Sequence, residues 1–208
     1  YAFNKWIMDW LGNRRPSGLF IKEGNINLVY SSGVTKQVTF VNSDSSAVLS
    51  HTKVVFFREE RINLERPYSR YKLMSLDTKT LKETIVSDQK PFADGLDGSF
   101  EILSPRHLSV SQDQSKAVFV VEKYATGSEM VNVDLKTGKW TELFSVERFE
   151  IISSGKFKNQ LLVGISEVGN KGRDIHYKVC NHDGVKLLEF KDREEYMAFR
   201  STAMIKVK

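Results

Sequence analysis

The chain has 208 residues, enough for one domain or two small ones. With 40% hydrophobic and 27% charged residues it has the composition of a globular protein, which excludes a largely disordered chain or a coiled coil. The net charge of +5 is spread along the sequence without a polybasic tail, and the single cysteine, Cys180, excludes an internal disulfide and a cysteine-based zinc site.

In chain order, Tyr1 to Leu11 places Phe3, Trp6, Ile7 and Trp10 on one face, so a short N-terminal helical segment is expected within residues 1–17. Pro16 and Gly18 close it. From there the apolar residues alternate with period two. Lys53–Arg58, Tyr71–Leu76, Lys116–Val121, Glu129–Asp134 and Asp174–Val179 are rich in β-branched and aromatic residues and are separated by turn residues, so they are expected to be strands. Asp192 to Phe199 is a second helix candidate.

A turn-centred unit recurs. Its clearest form is Val131-Asn-Val-Asp134-Leu-Lys-Thr137-Gly138-Lys139-Trp140, a strand running into Asp, a Thr-Gly turn and a second strand. Asp77-Thr-Lys79-Thr, Asn181-His-Asp183-Gly184 and Tyr30-Ser-Ser-Gly33 sit at the same place in three further copies. The turn centres fall near residues 33, 79, 138 and 184, with the middle interval lengthened by Asp88–Glu101. A glycine at such a turn supplies the positive φ that a tight hairpin needs, so Gly138 is expected there. Upstream of each hairpin lies another strand pair, with turns at Asn42–Ser46, Ser111–Ser115 and Ser153–Gln160. About four strands in about 46 residues is the content of a β-propeller blade.

Ser111-Gln-Asp113-Gln-Ser115-Lys-Ala-Val-Phe119 followed by Val133-Asp134-Leu-Lys-Thr137-Gly138 resembles the blade repeat of TolB-type propellers, also seen in prolyl-oligopeptidase-like propeller domains, with Gln112 for the proline and Ser115 for the glycine. The resemblance covers about residues 18–190. It implies an all-β fold, a small propeller of about four blades in a single domain spanning 1–208, with five blades or an open partial propeller as alternatives. Blade-like units fall at about 41–87, 102–145 and 146–190, and 18–40 with 196–208 are expected to complete one more. These motifs are structural turns and imply no activity.

Two segments depart from the minimal blade. Arg61–Tyr71 carries Arg66, Tyr68 and Arg70, and Asp88–Glu101 carries Phe92 and Phe100. Arginine and aromatic residues are favoured anchors in protein interfaces, so these five are the expected binding residues and the expected partner is a protein rather than a nucleic acid. Asp94, Asp97 and Glu101 miss the spacing of a calcium loop, and neither a metal nor a cofactor is expected. No Gly-x-Ser-x-Gly elbow is present, and His107, His176 and His182 have no partner visible in the sequence. The reading is a non-catalytic propeller module that binds another protein. The alternatives are an accessory propeller of a larger peptidase-like enzyme and a propeller carbohydrate-active enzyme. No stretch approaches the roughly 18 apolar residues of a membrane helix, and the start at Tyr1 fits a mature form or an excised fragment, with a periplasmic or secreted location expected.

Overall fold

Alternation of apolar and polar side chains lets a strand bury one face, and a central strand with neighbours on both faces becomes apolar throughout. Both patterns occur in the computed structural model, which describes residues 15–61, 69–87, 103–123, 127–169 and 172–204. The strands form four antiparallel sheets, and the fold is that of a β-propeller. The chain divides into two compact units, residues 1–101 and 102–208.

The first unit holds sheets A and B. Sheet A has three strands in the order β1 (Pro16–Lys22), β2 (Asn25–Tyr30) and β3 (Thr35–Gln37). Glu23 and Gly24 join β1 to β2 with φ of 51° and 68°. Two consecutive positive φ values define the type I′ turn, whose twist matches that of the strands it joins. Sheet B runs β4 (Asp44–Ser50), β5 (Lys53–Arg61), β6 (Ser69–Asp77) and β7 (Glu83–Ser87). Ile26, Leu28 and Tyr30 of sheet A pack with Val54, Phe56, Met74 and Leu76 of sheet B in one buried cluster.

The second unit holds sheet C, with β8 (Leu103–Val110), β9 (Lys116–Lys123), β10 (Gly127–Asp134) and β11 (Trp140–Val146). Sheet D has β12 (Arg148–Ile151), β13 (Leu161–Gly169), β14 (Gly172–Cys180) and β15 (Lys186–Glu189). Val118, Val120 and Met130 of sheet C pack with Phe149, Leu161, Val163 and Cys180 of sheet D. The other face of sheet D, with Leu162, Tyr177 and Val179, packs under a helix, α1 (Arg193–Ala203), through Tyr196 and Ala203. The helix begins where the sequence supplies a cap: Asp192 accepts from the amide of Glu195 at 2.9 Å, and the Glu195 carboxylate accepts from the amide of Lys191 at 2.9 Å.

The turns explain the repeat. Asp134 accepts from the amides of Lys136 and Thr137 at 3.0 and 2.7 Å and from the Thr137 hydroxyl at 2.9 Å. Asp77 accepts from Lys79 and Thr80 at the same three distances. Asp-x-x-Thr is thus a turn that closes on its own side chain. Gly138 sits in the β10–β11 turn with φ 71°, as expected. Trp140 packs edge-on against Phe119, with ring centroids 5.0 Å apart.

Four expectations change. The described helix lies at the C-terminal end; Tyr1–Leu11, with Trp6 and Trp10, falls outside the described residues. The start of a strand expected in 196–208 is instead helical through Ala203, because Tyr196, Phe199 and Ala203 recur at helical spacing and bury together; 205–208 lie outside the described residues. Asn42–Ser46, expected to be a turn, leads into β4 at Asp44 and carries an irregularity between Ser45 and Val48, with Ser46 at φ 46°. Asp44 is buried there because it meets an arginine, and that partner is invisible in the local sequence. The two ends of the Arg61–Tyr71 excursion continue β5 and β6, with Arg61 paired to Ser69 and Glu60 to Arg70, and 62–68 lie outside the described residues.

Candidate functional site

Of the five expected binding residues, Arg66, Tyr68, Phe92 and Phe100 lie outside the described residues. Arg70 lies in β6 opposite Glu60. Asp94, Asp97 and Glu101 also fall outside. The described residues instead bring together three features that the linear sequence did not expose.

The first is an ion cluster in sheet B. Arg58 on β5 donates from Nε to Asp44 at 2.7 Å and from Nη1 to Glu83 at 2.6 Å, with its Nη2 shared between the two carboxylates at 3.3 and 3.2 Å. Its guanidinium lies 5.3 Å over the ring of Phe56. Burial opposes the charge, but the hydrogen bonds that Arg58 donates to Glu83 and then Asp44 outweigh it, and the guanidinium is held above its ordinary pKa. With both sides of its fork occupied, Arg58 ties β4, β5 and β7 together and presents no free donor pair to a ligand.

The second is a buried serine–histidine pair in the second unit. Ser109 Oγ on β8 lies 2.9 Å from Nε2 of His182 in the β14–β15 turn, and both residues are buried. The His182 carbonyl accepts from Nδ2 of Asn132 at 3.2 Å. Burial lowers the His182 pKa below its ordinary value, against the opposing pull of Asp113 and Asp183. The spacing is that of a nucleophile and its base. However, Asp113 is engaged by Ser111 at 2.6 Å and by Ser115 at 2.8 Å, and Asp183 is paired with Lys116. With the pair enclosed and the carboxylates occupied elsewhere, the arrangement fastens sheet C to sheet D. Cys180, buried nearby on β14 with its thiol pKa raised by burial, is likewise a packing residue.

The third is the surface of sheet A. Phe20 on β1 is 40% exposed, and Phe40 in the β3–β4 connection is 74% exposed, with Val41 beside it. Ile21 and Val34 are also exposed. Thr39 holds the connection in place by accepting from the Ile26 amide at 2.8 Å, and Asn25 accepts from the Asn42 amide at 3.0 Å. Gly24 carries the close approach between this connection and the β1–β2 turn: a Cβ there would lie 2.4 Å from the carbonyl carbon of Asn42. Phe40 and Val41 therefore stand on a hydrogen-bonded connection, while Phe20 and Ile21, successive residues of β1, face opposite sides of the sheet. The chemistry available is apolar contact beside backbone hydrogen bonding, which suits a polypeptide ligand.

No family model matches the chain, and no curated protein matches it. Solved structures do. The crystal structure of Porphyromonas gingivalis dipeptidyl peptidase 4 is similar at 12% identity and a TM-score of 0.56, covering 84% of this chain and 31% of that one. The β-propeller domain of the Trilobed protease from Pyrococcus furiosus is similar at 14% identity and a TM-score of 0.48, covering 74% and 45%. TolB from Acinetobacter baumannii is similar at 15% identity and a TM-score of 0.34, covering 81% and 49%. These are likenesses of fold, carried by the first, and the chain spans less than half the length of each of the three.

Proposed function

We propose that this chain is a non-catalytic propeller module that binds another protein. The observation that carries the reading is the exposed apolar group at sheet A, above all Phe40 at 74% exposure on a connection fixed by hydrogen bonds at Thr39 and Asn42. Exposed aromatic side chains on a fixed frame lose little conformational freedom on binding, which favours their use as anchors. The segments Arg61–Tyr71 and Asp88–Glu101, with Arg66, Tyr68, Arg70, Phe92 and Phe100, are proposed as further contacts. The test is crosslinking in native extract with wild type and with Phe40→Ser/Val41→Ser, the captured proteins being identified by mass spectrometry. The reading expects a partner lost from the double variant while its unfolding midpoint stays that of wild type. A variant that folds normally and retains every partner would reject this surface.

A second reading, the accessory propeller of a larger peptidase-like enzyme, is favoured by the likeness to the dipeptidyl peptidase over 84% of this chain. It expects a hydrolase domain joined to this segment in the full gene product, and a polypeptide substrate or that domain in place of a separate partner.

A further inference from the structure

Among the described residues sheet A has one strand fewer than the other three, and the turns identify which strand has no counterpart there. In β2–β3, the Tyr30 amide donates to Val34 at 2.9 Å and the Gly33 amide to Tyr30 at 2.8 Å. In β14–β15, Asn181 donates to Val185 and Gly184 to Asn181, both at 3.0 Å. Gly33 and Gly184 have φ of 79° and 77°. The two hairpins are equivalent, so β1 of sheet A corresponds to β13 of sheet D. Through their partners on β2 and β14, Gly18, Leu19, Phe20, Ile21 and Lys22 correspond to Leu161, Leu162, Val163, Gly164 and Ile165. The strand without a counterpart is the one beside β13, namely β12, and among the described residues nothing pairs with that edge of β1.

The edge is suited to pairing. Lys22 and Asn25 flank a type I′ turn and form its hydrogen-bonded pair, so alternation along the ladder turns the amides and carbonyls of Leu19 and Ile21 away from β2. Their counterparts, Leu162 and Gly164, face β12, where Glu150 and Arg148 lie opposite them. The Glu147 amide donates to Gly164 at 2.8 Å. Pro16 and the irregularity between Pro16 and Gly18 end the usable edge at Gly18, so the open stretch has the four residues that β12 covers in sheet D, Leu161 to Gly164. Within β1 itself residues 16–22 carry Lys22 and no carboxylate, Glu23 lying in the turn, and in sheet D Glu147 immediately precedes Arg148, which pairs with Gly164, the residue before the counterpart of Lys22.

We propose that β1 accepts a short strand from the protein partner, antiparallel to residues 18–22, with apolar residues at alternate positions and an acidic residue opposite Lys22. The proposal rests on the protein-binding reading and specifies its form: backbone hydrogen bonds at Leu19 and Ile21 supply the pairing, and Phe20 supplies apolar contact beside it. The fourth strand completes sheet A as β12 completes sheet D.

The probe is a synthetic peptide with the sequence of residues 145–153, Ser-Val-Glu-Arg-Phe-Glu-Ile-Ile-Ser, titrated into the full chain. Binding is followed by fluorescence anisotropy and located by amide hydrogen exchange. Saturable binding with new protection confined to residues 18–22 is expected, and a scrambled peptide should give none. Methylating the peptide nitrogens at the Arg148 and Glu150 positions removes two backbone donors and should weaken binding about tenfold or more. Ile21→Pro, which removes an outward amide on an edge strand, should abolish binding. Overturning results are no binding, equal binding by the methylated peptide, or protection of Leu19 and Ile21 before peptide is added, which would mean that the chain fills its own edge. If the proposal fails while the Phe40/Val41 variant still loses a partner, strand addition falls and the protein-binding reading stands.

Discussion

Sheets A and D share a hairpin geometry and differ at their remaining faces. Each packs one face on the neighbouring sheet of its own unit. In sheet D the other face is apolar, with Leu162, Tyr177 and Val179, and α1 covers it. Tyr196 stacks on Tyr177 with ring centroids 3.8 Å apart and 14° between planes, and Arg200 donates to both oxygens of Glu150 at 2.7 to 3.1 Å. In sheet A the other face carries Gly18, Phe20, Lys22, Asn25 and Asn27; by register it matches the face that sheet D packs on sheet C, with Leu161, Val163, Ile165, His176 and Lys178, not the face under α1. Asn25 bonds to Asn42, and Asn27 donates to the Asn25 carbonyl at 3.1 Å, so this face satisfies its polar groups locally. One backbone design thus ends in two ways. The apolar face of sheet D is covered by α1, whereas the face of sheet A turned away from sheet B mixes the 40%-exposed Phe20 with Asn25 and Asn27, which are themselves buried.

The largest effect should come from uncovering sheet D. Tyr196→Ala removes the ring stacked on Tyr177 and leaves a void among Ile152, Phe190 and Phe199. Loss of a buried aromatic ring of this kind costs about 3 kcal/mol or more. Urea unfolding of the full chain should show the lowered midpoint. An unchanged midpoint would mean that α1 does not serve as a cover, and the comparison with sheet A would fail.

Next come the turns. Gly24→Ala places a Cβ 2.4 Å from the Asn42 backbone at φ 68°. Gly33→Ala has the same left-handed strain at φ 79° with nothing within 4 Å of its Cβ. The second change should cost about 1 kcal/mol for strain alone. The first should cost about 1 kcal/mol more, since backbone must shift. Equal losses, read from the same unfolding curves, would show that the frame beneath Phe40 yields freely.

The strands and hairpins were legible because period-two alternation and Asp-x-x-Thr are local signals. Gly138 was placed from five residues of context. The helix was legible at its start, where Asp192 and Glu195 form the cap, but its role was not: that Tyr196 meets Tyr177 is a fact of tertiary packing. The same holds for Ser109 and His182, which lie 73 residues apart, and for Asp44, whose short polar neighbours read as a turn while its burial depends on Arg58 and, through Arg58, on Glu83. The exposed site at sheet A was missed because Phe20 and Phe40 look like ordinary core residues in sequence. Only counting strands across equivalent sheets shows that one side of β1 has no partner among the described residues.

Protonation should act on the second unit in two windows. Burial holds the His182 pKa below its ordinary 6.5, so the unfolded chain takes up the proton first as the pH falls. The stability that neutral His182 contributes is therefore complete above about pH 6.5 and declines below it. Asp113, exposed and held at about 2 by the Ser111 hydroxyl and then by Ser115, acts in another window: its contribution is present above the ordinary 3.8 and is lost below it. Asp183 and Asp113 pull against the loss at His182, and Lys116 is already paired with Asp183, so the slope between pH 6.5 and 4.5 should be modest. His182→Gln keeps a hydrogen-bonding side chain near Ser109 and cannot titrate. Unfolding midpoints across this window should fall for wild type and run flat for the variant. Parallel curves would assign the pH dependence to other groups.

The smallest effect belongs to the open sheet. Phe20 occupies the position of Val163, which is fully buried against sheet C, yet Phe20 is 40% exposed. A residue that contacts solvent in the isolated chain contributes little to its folding, so Phe20→Thr should change stability by no more than about 0.5 kcal/mol. Threonine also keeps the β propensity that an edge strand needs. Val163→Thr, by contrast, introduces a hydroxyl into a packed apolar cluster of Met130, Phe149 and Cys180, where an unmatched polar group costs about 1–3 kcal/mol. The pair of substitutions tests the equivalence of β1 and β13, because the two positions share a register and differ in their cover. Comparable losses in the two variants would show that Phe20 is packed in solution, and that sheet A is covered as sheet D is.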